Sequence, residues 1–145
     1  MYLVALNACN TMARSNLQII TDALRLAGVI HEIQTPSNED AQDALRRLND
    51  LLLGWKRRNG IDLGFYPQTS LAANIPIDDE YFETVTLQLA QRVGEHWGTG
   101  LTDAVVSRSN SLWRSLLAEF NTPEPASLRH VPGRRYSYDI DSDSY

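Results

Sequence analysis

The sequence predicts a mainly α fold: a small antiparallel bundle of about four helices, with a projecting β-hairpin and extended N- and C-terminal arms. Three observations carry this. Apolar residues recur at spacings of three and four in four separate stretches, the mark of helices with one buried face. Between the second and third stretches they alternate with polar residues instead, as in a half-buried strand. Beyond Asn121 the periodicity stops and Pro123, Pro125, Pro132 and Gly133 break any helix. A chain of 145 residues suits one domain plus arms. We divide it into an N-terminal arm, 1–15, a helical domain, 16–120, with the hairpin at about 61–77, and a C-terminal arm, 121–145.

Ser15 is placed to cap a first helix over about Asn16 to Ala27, with Leu17, Ile20, Leu24 and Ala27 on one face and Gly28 as its stop. The second helix is the clearest. Ser37 and Asp40 make a capping-box-like start after Pro36. Ala41, Ala44, Leu45, Leu48, Leu51, Leu52 and Trp55 then form one stripe. Lys56, Arg57 and Arg58 fall in its last turn, where cations complement the helix dipole, and Gly60 closes it. Ile61, Leu63 and Phe65 alternate with Asp62 and Gly64, and a second extended run passes through Leu71 and Ile75. With Pro67 to Ser70 as the connecting loop, this reads as the hairpin.

A third helix follows Pro76, capped by Asp78, with Asp79 and Glu80 in its first turn and Phe82, Val85, Leu89, Val93 and Trp97 along one face. Gly98 and Gly100 break it. A fourth, roughly Asp103 to Phe120, carries Val105, Leu112, Leu116 and Phe120. In the C-terminal arm Arg129, His130, Arg134 and Arg135 precede Asp139, Asp141 and Asp143, with Tyr136, Tyr138 and Tyr145 among them. Tyrosine and arginine anchor interfaces, so we read this arm as one that folds onto a partner.

Composition narrows the function. Mean hydropathy is -0.32, and the leucine run Leu51 to Leu53 is far short of the ~20 apolar residues that span a bilayer. Met1 to Met12 lacks the basic start of a secretory signal. Cys9 is the only cysteine, which leaves no internal disulfide and no cysteine zinc site; its simplest role is a small apolar filler. Eighteen acids against 13 bases give a net charge of -5, a poor balance for gripping DNA by its phosphates. It suits a surface past which DNA must slide. All the basic residues but Lys56 are arginine, the side chain favoured for planar bidentate contacts across interfaces.

Motifs for chemistry are scarce. Asp79, Glu80 and Glu83 cluster as the acids of a cell-wall hydrolase do, yet they occupy a helix start, where acids are favoured electrostatically. His31, His96 and His130 lie far apart, without an H-E-x-x-H or C-x-x-C pattern. Gly94, Gly98 and Gly100 mark helix ends, and no G-x-S-x-G is present. Arg46-Arg47 and Lys56-Arg57-Arg58 are the basic clusters of a small DNA-binding packaging factor, such as a terminase small subunit. Against that, the turn between helices one and two is too long for a helix-turn-helix, and no aromatic interleaves the bases. The sequence therefore predicts no enzyme and no cofactor.

Three segments carry a family resemblance: "ALRLAGVI" from Ala23, "DALRRLNDLLLGWKRRNGIDLGFY" from Asp43, and "IPIDDEYFETVTLQLAQRVGEHWG" from Ile75. A leucine-rich helix ends in Trp, a basic stretch leads through Gly-Ile into the extended run, and an acidic-start helix closes on an aromatic-Gly pair. In that order the chain resembles the podovirus packaged-DNA stabilisation proteins, also called tail accessory or head-to-tail adaptor proteins. The likeness spans about Leu17 to Gly98; helix four fits in length and helicity only, and the C-terminal arm matches no motif.

The resemblance implies a virion protein of the head-tail junction, made in the host cytoplasm. It would form a twelve-fold ring of copies of itself under the portal protein, extend the DNA channel, help retain packaged DNA, and offer a platform to tail nozzle, tail hub or fibre-attachment proteins. Double-stranded DNA would pass through without sequence-specific binding. Closure of a ring needs a heterologous interface, and repeated weak arm contacts gain strength from their number. The candidate assembly contacts are Arg57, Arg58, Phe65, Tyr66, Arg134, Arg135, Tyr136 and Tyr138.

Overall fold

The computed structural model describes residues 13–121. Its elements are α1 (Asn16–Leu26), α2 (Asn38–Gly54), a π-helical turn (Trp55–Asn59), a 3-10 turn (Asp79–Tyr81), α3 (Phe82–Trp97) and α4 (Asp103–Phe120). The fold is mainly helical and contains no sheet among the described residues. Most of the two arms, residues 1–12 and 122–145, lies outside the described residues, as do Arg134, Arg135, Tyr136 and Tyr138.

The first helix begins on a full capping box. Ser15 Oγ accepts from the Gln18 backbone N–H at 3.2 Å, and Gln18 Oε1 accepts from the Ser15 N–H at 3.0 Å. Its inward face is Asn16, Ile19, Ile20, Ala23 and Leu24, continued by Ala27. Leu17, expected on that face, is 39% exposed. The true stripe is rotated by about one residue because its first position is held by an asparagine, which hydropathy counts as polar. In α2 the expected stripe holds at every position from Ala41 to Trp55, and Ser37 caps it, accepting from the Asp40 N–H at 3.1 Å.

The central element is α3, which packs against α1, α2 and α4. Val85, Leu89, Ala90 and Val93 are fully buried, and Phe82 and Leu87 nearly so. Each such Val or Leu contributes roughly 1.5–3 kcal/mol by leaving water. The helix is preceded by the 3-10 turn, and Asp78 at its start makes no side-chain capping bond. Gly94 lies inside α3 and does not end it. The chain folds back there, the Thr99 N–H donating to the Gly94 carbonyl at 2.9 Å, and a Cβ on Gly94 would meet the Thr99 oxygen at 3.0 Å.

On the outside, α4 docks with only Ser109 and Leu116 buried. Ser109 Oγ donates to Gln91 Oε1 at 3.0 Å and accepts from Gln88 Nε2 at 2.9 Å, a polar seam to α3. Trp113 meets Trp55 with ring centroids 4.9 Å apart, and Phe120 meets Tyr81 at 6.4 Å.

The predicted hairpin at 61–77 is absent. The segment is extended and puts Ile61, Phe65 and Ile75 into the core, but it does not pair with itself. Its backbone groups bond to the helices instead. The carbonyls of Leu71 and Ala73 accept from the Leu17 and Asn16 N–H groups, each at 2.9 Å, filling two of the open donors at the start of α1. The Ile75 N–H donates to the Arg14 carbonyl at 2.9 Å, and Ser15 and Asn74 form an isolated antiparallel bridge. Asn49 of α2 grips Gln68 twice, donating to its carbonyl at 2.8 Å and accepting from its N–H at 2.9 Å. Buried Asn16 donates to the Ser70 carbonyl at 2.8 Å and to Gln68 Oε1 at 3.2 Å.

Replacing Asn49 by Ala strips both partners from the Gln68 peptide in a half-buried place. We expect a loss of about 1–3 kcal/mol, read as a lower urea midpoint at unchanged slope, with the helical circular-dichroism signal retained.

Candidate assembly surface

The stripe of α2 ends on Trp55, whose buried ring ties the helix to α4. The chain then widens into the π turn. The Gly60 N–H returns to the Trp55 carbonyl, and Gly60 takes the left-handed φ of 67° that ends the helix. This turn presents Lys56, Arg57 and Arg58 to solvent together. Lys56 Nζ lies 3.1 Å from Asp62 Oδ2, and Asp62 Oδ1 accepts from the Gly64 N–H at 2.9 Å. Those two donors, the Gly64 N–H first, hold the Asp62 carboxyl below its ordinary range. The carboxylate thereby fastens the π turn to the loop that follows.

Of the predicted contact residues, Arg57, Arg58 and Tyr66 are exposed, Tyr66 at 61%. The Arg58 guanidinium lies over Gly54, where a Cβ would sit 2.8 Å from Nη2. Phe65 corrects the expectation of an exposed anchor. It is 8% exposed, part of the hydrophobic core, and lines a small hollow with Leu52, Lys56 and Ile61. The alternation that faces Phe65 inward turns Tyr66 outward. Gln68 Nε2 donates to the Tyr66 carbonyl at 2.9 Å, so the backbone is held while the ring stays accessible. The structure thus brings Lys56, Asp62 and Phe65 together, with Arg57, Arg58 and Tyr66 beside them in the chain.

Other charged groups are committed elsewhere. Arg47 pairs with Asp43 at 3.2 Å and lies over the Trp97 ring, 5.6 Å from its centroid. His96 Nε2 is 3.7 Å from the same Asp43, and its ring meets Trp97 edge-on at 4.6 Å. Arg46, Arg57 and Arg58 form no ion pair among the described residues. Glu83, one of the three clustered acids, accepts two bonds from Arg108 of α4, at 3.0 and 3.2 Å. That guanidinium holds the Glu83 carboxyl below its ordinary value. The Tyr81 hydroxyl donates to Glu119 at 2.9 Å, which, with burial and nearby Glu80, pushes its pKa well above the usual phenol range. Among the described residues no group of three or more His, Cys, Asp or Glu side chains is placed to hold a metal ion, and no helix is long and apolar enough to cross a membrane.

Sequence reasoning missed one feature. An open groove of about 800 Å³ runs between α1 and α3, lined by Arg14, Asp22, Arg25, Leu26, Phe82 and Leu87 among others. The Arg14 guanidinium stands over the Phe82 ring at 5.5 Å. The only trace of it in the sequence is that Leu17 and Leu26 fall outside the stripe through Ile19, Ile20, Ala23 and Leu24.

No protein-family model matches the chain, and no curated protein matches it.

The Glu83–Arg108 pair makes a pH prediction. A lowered carboxyl pKa in the fold adds stability above the unfolded value of about 4.5, and that stability is lost as pH falls through the folded value. A carboxyl-resolved NMR titration should place the Glu83 midpoint below 4.5 in the native chain and return it to the ordinary range in Arg108→Ala.

Proposed function

We propose that this chain is a structural head-to-tail connector (adaptor) subunit of a tailed phage. It forms a ring of copies of itself under the portal protein, extends the DNA channel and helps retain the packaged genome. Tail nozzle, tail hub or fibre-attachment proteins dock below, and the protein acts without cofactor or catalysis. The observation that carries this reading is the juxtaposition of the three segments that resemble the adaptor family. Leu24, Leu48, Ile61, Phe65, Val85 and Leu89, drawn from all three, belong to one core.

The geometry around that core supports the reading. The extended run after α2 is pinned to α1 and α2 by hydrogen bonds, so the Tyr66 ring stands on a rigid support. Beside it, Arg57 and Arg58 have no ion-pair partner among the described residues and are available to acids across an interface. A rigid aromatic flanked by arginines is the composition of an interface hot spot. The acidic balance of the whole chain, -5, suits a channel wall that must not hold the phosphates passing it.

Mixing the purified chain with its cognate portal and sizing the product tests this. A closed ring on the portal is expected, twelve copies by the family's pattern. A chain that stays off the portal at micromolar concentration overturns the reading. The Arg57→Glu, Arg58→Glu double variant should dock at least about tenfold more weakly, since truncated hot spots cost ~2 kcal/mol or more. Its thermal midpoint should not change, because neither side chain supports the core.

A further inference from the structure

Of the large apolar side chains that the described residues leave exposed, Leu17 at 39% and Leu26 at 42% stand on the same flank of α1. They border two adjoining hollows that share Arg14, Asp22 and Arg25, and that together run the length of the helix down to Phe82 and Leu87 of α3. The charges on the rim are largely answered: Arg14 lies 3.6 Å from Asp22, and Glu83 is paired with Arg108. The groove therefore has an apolar floor and a nearly neutral rim. A polar or strongly charged occupant gains little there.

We propose that this groove seats the chain's own N-terminal segment, residues 1–9, as a strap along α1. Ala13 lines the groove, so the segment leaves the described fold at its lip. Residues 1–12 contain no charged side chain and include Tyr2, Leu3, Val4 and Leu6. They match the groove in polarity. A reversal over Asn10 to Ala13 puts asparagine at the first position of the turn, where it is favoured. The nine residues before it span about 30 Å when extended, at ~3.3 Å each. The 11 residues of α1 need about 16 Å at ~1.5 Å each, so the segment covers the groove with length to spare. Tethering at the lip gives the segment an effective concentration of about millimolar, which favours it over the same segment of a separate molecule at micromolar concentration. The inference does not depend on the connector reading.

Cys9, the only cysteine, makes the test direct. In the full-length chain, Thr21→Cys places a second thiol in the groove wall. Asn74→Cys places it opposite Ser15, nearer the tether but outside the groove. Under diamide, which takes up the two electrons and two protons of the thiols, Thr21→Cys should close an internal disulfide with Cys9 about tenfold faster than Asn74→Cys. Adding Leu26→Asp to the Thr21→Cys chain should bring the rate down to that of Asn74→Cys. Equal rates in the two single variants, a rate unmoved by Leu26→Asp, or a product made mostly of disulfide-linked dimers overturns the proposal. Circular dichroism of each variant, with the helical signal retained, confirms that the rates are read on folded chains.

Discussion

The conformation of the long connection between α2 and α3 depends on three amides. Asn16, Asn49 and Gln68 come from α1, α2 and the connection itself, and their hydrogen bonds replace the ladder a hairpin would have supplied. An extended segment buried on one side must satisfy its N–H and C=O groups somewhere. Asn49 serves both groups of the Gln68 peptide, as a neighbouring strand would. Asn16 accounts for the Ser70 carbonyl while its own N–H, with that of Leu17, is answered by the segment's carbonyls. The start of α1 and the path of the connection are therefore mutually dependent. Neither is satisfied without the other.

That dependence governs what the surface offers. A free loop of this length would lose much entropy on docking, at about 1–2 kcal/mol per residue ordered. Here most of that cost is met on folding, so Tyr66 meets a partner already oriented. The π turn works in the same direction. One extra residue in the last turn of α2 presents Lys56, Arg57 and Arg58 as an exposed cap, and the Lys56–Asp62 contact fixes that cap to the loop. Both ions of that pair are about half exposed, so its worth lies in geometry more than in stability.

The helices were legible in the sequence because their signals are local. Ser15 and Ser37 cap where their spacing to Gln18 and Asp40 says they should, and the leucine stripe of α2 is buried throughout. The bounds of α4 also agree. Misreadings arose where a side chain acts through a distant partner. The period-two alternation of Ile61, Leu63 and Phe65 reports which side of the chain faces the core, and it is silent on what the backbone bonds to. That turned a segment clamped by side chains into a supposed hairpin. Asn16 hid the register of α1 in the same way, since its burial is sensible only beside Gln68 and Ser70, more than fifty positions on. Of the assembly candidates, Tyr66 follows from the alternation, whereas Phe65 was assigned outward against it.

The fold also has two unlike faces, and their difference bears on how copies of the chain would meet. The end around the π turn is rigid, cationic at Arg57 and Arg58, and carries Tyr66 as a projecting ring. The flank of α1 is concave, apolar at Leu17 and Leu26, and close to neutral. A two-fold dimer pairs one patch with itself, so arginines would face arginines and repel. A head-to-tail contact sets different patches against each other and avoids that juxtaposition, and such contacts close into rings when the rotation permits. On the connector reading, the asymmetry between a charged, preorganised face and a neutral, grooved one is what selects a cycle over a pair.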